Sequence, residues 1–186
     1  MKILNSLNDV SKNPKAITIG NFDGIHKGHQ VLINKTKAIS AKNNVESLIF
    51  TFDKLPKEIF GPDTLQRLHD NRTKESILNA YKVDTLLSID FNEIKDYKAD
   101  YFCEEILIKR LNLQYLIIGE NFKFGKNRSG DIEKLREYNK EKAFELIIPR
   151  LETYGGIKIS SSRIRKLLNQ GKISEARECL GRDYML

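Results

Sequence analysis

The chain of 186 residues carries 32 Lys and Arg against 25 Asp and Glu, a formal net charge of +7, with 31% charged and 40% hydrophobic residues. That length builds one large domain with a real core, and a mean hydropathy of −0.46 with scattered Val, Ile and Leu runs excludes wholesale disorder. No apolar run approaches the roughly 18 residues of a membrane span. The first residues lack the apolar core of a signal peptide. Cys103 and Cys179 have no metal-ligating spacing. A reduced cytoplasmic protein without a membrane partner is the expectation. The basic excess favours anions without naming one. Nucleic-acid binders gather Lys and Arg into a stripe. Here acids interleave, as in Glu133-Lys134-Leu135-Arg136-Glu137, so small phosphorylated ligands suit the mixture better and no nucleic acid is expected.

Strand and helix signals alternate along the chain. Lys15 to Gly20 is a short apolar run ending in glycine, a strand signal. Val31, Leu32, Ala38 and Ile39 give Gly28 to Lys42 an amphipathic helix. Glu46 to Phe52 reads as a second strand, Arg72 to Tyr81 as a helix and Val83 to Ile89 as a third strand. Tyr97 to Leu111 is helical, Gln114 to Gly119 is a fourth strand, Asp131 to Lys142 a polar helix and Phe144 to Ile148 a fifth strand. Tyr154-Gly155-Gly156 makes a turn, and Ser162 to Asn169 opens a helical C-terminal stretch. This order predicts an α/β, Rossmann-like parallel sheet with helices on both faces. Gly20 and Gly119 each end a strand and open a polar loop, so the two loops are expected to frame one crevice at the strands' C-terminal edge.

The loop Gly20-Asn21-Phe22-Asp23-Gly24-Ile25-His26-Lys27-Gly28-His29 has neither the dinucleotide glycine spacing nor a Gly-Lys-Ser phosphate loop. Its glycines let backbone approach a ligand, and the helix start behind it attracts anions. His26 and His29, three apart, can reach one phosphate. They can equally cap the helix, whereas a metal would need ligands that no other His or Cys cluster supplies. The string resembles the His-x-Gly-His signature of the nucleotidylyltransferase superfamily. In its extended form it resembles the FMN adenylyltransferase module of the bacterial riboflavin kinase/FMN adenylyltransferases, the FAD synthetases.

The second motif, Gly119-Glu120-Asn121-Phe122-Lys123-Phe124-Gly125 through Gly130-Asp131, places phenylalanines among basic residues. These rings either stack on an aromatic ligand or tuck into the core, and Asp131 also reads as a helix cap. It is similar to the same family's Gly-x-Asn/Asp-Phe-x-Phe-Gly segment. The third motif, Lys158-Ile159-Ser160-Ser161-Ser162-Arg163-Ile164-Arg165, sets hydroxyls and Arg165 at a helix start, where they cap it or hold a polyphosphate. It resembles the superfamily's Ile-Ser-Ser-Thr-x-Ile-Arg, with Ser162 for Thr and Lys158 where the family commonly has Arg.

The resemblance runs from about Ala16 to Leu186 and implies the fold of the His-x-Gly-His nucleotidylyltransferases in one domain over residues 1–186. It implies adenylyl transfer from ATP to FMN, giving FAD and pyrophosphate by direct in-line displacement. His26 and His29 would contact the ATP phosphates. Ser161, Ser162 and Arg165 would hold the leaving pyrophosphate with Lys158 in support, and Asn121 would orient a phosphate or the metal. Gly20, Phe22, Asp23 and Gly24 would line the ATP site. Phe60, Phe102 and Phe124 are the candidates for the flavin pocket. Mg²⁺ is expected on substrate phosphates, with no dedicated metal ligands. In Phe52-Asp53-Lys54-Leu55-Pro56, Leu55 stands where the family often has His. The bifunctional relatives continue past Gly181-Arg182 into a kinase domain, so the expectation is that this chain lacks it and that a separate riboflavin kinase supplies FMN. The alternatives are another small-molecule nucleotidylyltransferase or a non-catalytic flavin- or nucleotide-binding protein.

Overall fold

The computed structural model describes residues 1–54, 67–141 and 143–184. Six parallel strands build the main sheet: β1 (Lys2–Leu4), β2 (Lys15–Ile19), β3 (Glu46–Phe52), β4 (Thr85–Ile89), β5 (Leu113–Ile117) and β6 (Glu145–Ile147). Their order is β1-β4-β3-β2-β5-β6. Every residue of β2 and β4 is buried, as strands covered on both faces must be. The covering helices are α1 (Lys27–Asn43), α2 (Asn71–Ala80), α3 (Ala99–Tyr101, continuing with π winding through Phe102–Arg110), α4 (Ile132–Lys140), α5 (Ser161–Asn169) and α6 (Ile173–Leu180). A hairpin of β7 (Thr153–Tyr154) and β8 (Ile157–Lys158) precedes α5.

Alternation along β3 shows how one strand serves two cores. Leu48 and Phe50 pack with Ile17, Ile19 and Leu87 against Phe102, Cys103 and Leu107 of α3. Ile49, between them, faces Ile33 of α1 and Leu78 of α2. A separate apolar cluster joins Ile164 and Leu167 of α5 to Ala176, Cys179 and Leu180 of α6. Helix starts are fixed by side chains: Asp70 accepts from the Thr73 N–H, and Asp131 from the Lys134 N–H.

The five strands read from the sequence are present, with ends displaced by a residue or two. The three-residue β1, paired in parallel with β4, was not among them. The expected helix from Tyr97 to Leu111 begins at Ala99 and is largely π-wound, a distinction that apolar spacing does not carry. The chain moves outward from β2 through β3 and β4 to one side, then returns to place β5 and β6 on the other. Strand order therefore reverses between β2 and β5, and the loops opened by Gly20 and Gly119 leave the sheet side by side at that point.

Candidate active site

The loop after β2 is held in an unusual backbone. Phe22 and Ile25 have φ of +47° and +38°, although neither is glycine, and Gly24 has φ +80°. Strain of this kind persists only where the surroundings fix it. Phe22 and Ile25 are fully buried, so their side chains anchor the turn. A Cβ on Gly24 would sit 2.5 Å from Leu68 Cδ1, so Gly24 permits both the turn and the packing beneath it.

The loop delivers His26 to the N-cap of α1, where its Nδ1 accepts from the His29 N–H at 3.3 Å. The two imidazoles stack, with centroids 3.7 Å apart and planes 16° from parallel. Gly28 makes this possible, because a Cβ there would come within 3.2 Å of the His26 ring. Because His26 Nδ1 is an acceptor, the neutral ring carries its proton on Nε2. The Nδ1 of His29 is buried with no partner among the described residues, which leaves its Nε2 as the nitrogen available to a ligand. Burial pushes His26 down to about 4, and burial together with the neighbouring His26 pushes His29 well below the usual imidazole range. At neutral pH both rings are uncharged N–H donors.

This arrangement has a consequence for stability. Below the ordinary histidine range the unfolded chain takes up a proton that folded His26 refuses until about pH 4. Its contribution is constant above about pH 6.5 and falls by about 3 kcal/mol as pH drops from there towards 4. The urea midpoint of the wild type should therefore decline between pH 6.5 and 4.5. The decline should shrink in His26→Asn, whose amide caps the helix without titrating. Identical pH profiles for the two proteins would contradict the assignment.

The third motif closes onto the first. Ser160 is the N-cap of α5, accepting from the Arg163 N–H, which realises the capping role for one serine of the three. Ser161 donates from Oγ to the Asp23 carbonyl at 2.8 Å, and Arg165 pairs with the Asp23 carboxylate. The second Asp23 oxygen accepts the Leu68 N–H at 2.9 Å. Burial raises the Asp23 carboxyl above its ordinary value, with Arg165 pulling the other way. Lys158 pairs with Glu120 at 3.0 Å. Arg163 donates to the Tyr154 and Ile157 carbonyls and so fastens the β7–β8 hairpin to α5.

Two cavities open at the sheet edge. The smaller, about 320 Å³, is lined by the predicted Gly20, Phe22, Asp23, His26, His29, Asn121, Lys158, Ser161, Ser162 and Arg165. The larger, about 860 Å³, is lined by rings including Phe52, Phe91, Phe102, Phe122 and Phe124. Both share Ile19, Gly20, Asn21, Asn121 and Phe122, so they are the two halves of one crevice. Gly24 lies outside both linings and serves the turn instead. Phe60 and Leu55 lie outside the described residues. Phe102 and Phe124 line the larger cavity while packing in the core, at 3% and 7% exposed. Phe122 is half-buried and common to both cavities.

Sequence reasoning missed Phe122 as the aromatic at the seam, although the second motif contains it. It also missed Arg182, which donates to the Gly24 and Ile25 carbonyls from the far end of the chain. No local pattern marks a contact across that separation.

Comparison with known proteins agrees with this geometry. The family model described as FAD synthetase matches residues 8–163. A bifunctional riboflavin kinase/FMN adenylyltransferase of Buchnera aphidicola subsp. Schizaphis graminum is 37% identical over all of this chain and 61% of that relative. The protein of the same description from Escherichia coli K12 is 30% identical, again over all of this chain and 61% of its own length. This chain thus spans about three-fifths of these relatives. A crystal structure described as a macrolide-efflux protein from Streptococcus pneumoniae superposes with a TM-score of 0.83 at 27% identity, over 98% of this chain and 70% of that one. Pantothenate synthetase from Thermus thermophilus shares the fold alone, with a TM-score of 0.55 at 12% identity, over 97% of this chain and 82% of that one. Among the described residues no helix is long and apolar enough to cross a membrane. The family match runs from ahead of the histidine loop into the serine turn that closes on it, and on that basis the chain belongs to the FAD synthetase family.

Proposed function

We propose that this chain, as one domain, transfers the adenylyl group of ATP to FMN, with ATP phosphates in the smaller cavity and the flavin in the larger. The observation that carries this reading is the shared seam at Gly20, Asn21, Asn121 and Phe122, where the contents of the two cavities meet. The FMN phosphate oxygen forms a bond to the α-phosphorus, the bridge to the β-phosphate breaks, and pyrophosphate leaves. No protein nucleophile is required, so positioning and charge stabilisation supply the rate. The Nε2–H groups of His26 and His29 donate to phosphate oxygens on which charge grows. Ser162 and the open N–H groups at the start of α5 receive the leaving pyrophosphate. Lys158 adds positive charge once phosphates draw it from Glu120, and Arg165 adds its charge while still paired with Asp23.

Mg²⁺ enters on the ATP phosphates as part of that substrate and neutralises their charge. This suits the lining of the smaller cavity, whose carboxylate, Asp23, already faces Arg165. Among the described residues no group of three or more His, Cys, Asp or Glu is placed to hold a metal. The test is incubation of the purified chain with ATP, Mg²⁺ and FMN. FAD and pyrophosphate should appear in equal amounts, and ATP consumption without FAD would overturn the reading.

Phe122 and Phe124 separate ligand stacking from core packing. Phe122→Ala should raise the KM for FMN several-fold to about tenfold, on the scale of one aromatic pair, with ATP binding little changed. Phe124→Ala should instead cost about 3–5 kcal/mol of stability, because its ring packs on Phe102 and over Gly130. Thermal melts with separate FMN and ATP titrations distinguish them. Unaltered FMN affinity in Phe122→Ala would remove it from the flavin site.

A further inference from the structure

The strained turn before His26 is anchored by its own buried side chains and is also clamped from outside by one arginine. Gly181, with φ +70°, ends α6 and turns the chain back towards the first motif. Arg182 then places its guanidinium on the two residues immediately ahead of His26. Nη2 donates to the Gly24 carbonyl at 2.6 Å, and Nη1 to the Ile25 carbonyl at 2.9 Å and the Leu180 carbonyl at 3.4 Å. Gln30 of α1 completes the link, donating to Ile25 at 2.9 Å and Leu180 at 2.7 Å. A planar fork reaches neighbouring carbonyls in a way that a lysine ammonium on its flexible stem does not reproduce.

We propose that Arg182 is a positioning residue for the reaction: its fork holds the Gly24–Ile25 turn in the conformation that presents His26 and His29 to the nucleotide phosphates. This rests on the reading of the two histidines as phosphate donors. A second observation points the same way. The chain has three histidines, and Arg182 is close enough to act on all of them. It lies 2.7 Å from His69 Nε2, and its charge helps to keep His26, His29 and His69 neutral. The other charges near the stacked pair are few. Lys158 of β8 acts on His26, Asp23 and Arg165 offset each other across the cavity, and Lys27 of α1 turns to Glu178 of α6. Removing Arg182 thus takes away both the clamp and a positive charge facing the donors.

The test compares Arg182→Met with Arg182→Lys in the full chain, following turnover and, by NMR, the titration of the three imidazoles without substrate. Misplacement of catalytic groups by about an ångström costs on the order of a hundredfold. In Arg182→Met, kcat should fall about ten- to a hundredfold with KM for FMN nearly unchanged, and His26 and His29 should titrate at higher pH. In Arg182→Lys the charge remains and the fork is lost, so titration should stay near wild type while kcat still falls. A variant with a lowered melting temperature but normal kcat well below it, and unmoved titrations, would make Arg182 a structural staple only and overturn the proposal. The NMR arm needs no turnover. A wild type inactive towards FMN would therefore defeat the functional reading, while unmoved His26 and His29 titrations in Arg182→Met would defeat the Arg182 assignment.

Discussion

Replacing His29 with alanine should lower kcat by about two to four orders of magnitude, the scale of losing a preorganised donor to developing charge. The ring lines the smaller cavity with its Nδ1 sealed from solvent, so in the proposed reaction the other nitrogen is the one to meet a phosphate. Its other contacts are the stacked His26 ring and the Phe22 ring at 5.2 Å. Losing these is a modest packing change, and deleting a buried unpaired nitrogen offsets part of it. The melting temperature should therefore move little while turnover collapses. Because burial keeps the ring neutral, wild-type kcat should not track ordinary histidine titration through pH 6–7. Near-normal turnover in His29→Ala, or a variant that does not fold, would make His29 a structural residue of the helix start.

Asp23→Ala is expected to produce a large loss of stability, on the scale of the loss in Phe124→Ala. The carboxylate is buried, with its side chain 4% exposed and that of Arg165 17% exposed. Truncation removes the Asp23 carboxylate from beside Arg165 and also strands the Leu68 N–H. Breaking a buried pair from one side costs about 3–5 kcal/mol. For a domain of this size that is a fall in melting temperature on the order of 10 °C. Asp23→Asn keeps an oxygen for the Leu68 N–H and should recover part of the loss. A melting temperature within about 2 °C of wild type for Asp23→Ala would mean that the pair contributes little to holding the first and third motifs together.

What the sequence made legible follows from which signals are local. Apolar runs ending at Gly20 and near Gly119 placed the crevice, because strand endings and turn glycines are written in consecutive residues. The serine run and Asp131 announced helix starts for the same reason. The three residues of β1 are too few to show a period, and its pairing with β4 is set by tertiary placement. The Asp23–Arg165 pair joins residues 142 apart, and Arg182 meets Gly24 across 158. Such contacts exist only once α5 and α6 have docked beside the first loop. Phe122 and Phe124 illustrate a third kind of limit. Two residues apart, they carry the same chemistry, and only the bridge between Phe124 and Gly130 decides which ring turns into the core.

Direct displacement of pyrophosphate by the acceptor phosphate, in one site formed by the two cavities, is the reaction we propose. It is tested most directly by the stereochemical course at the α-phosphorus. ATP made chiral there by a single sulfur substitution should yield a flavin dinucleotide of inverted configuration, as one in-line displacement requires. Retention would mean two displacements through an adenylylated side chain. His26, His29 or Ser162, which share the smaller cavity, would then be nucleophiles rather than donors, and the account would fail.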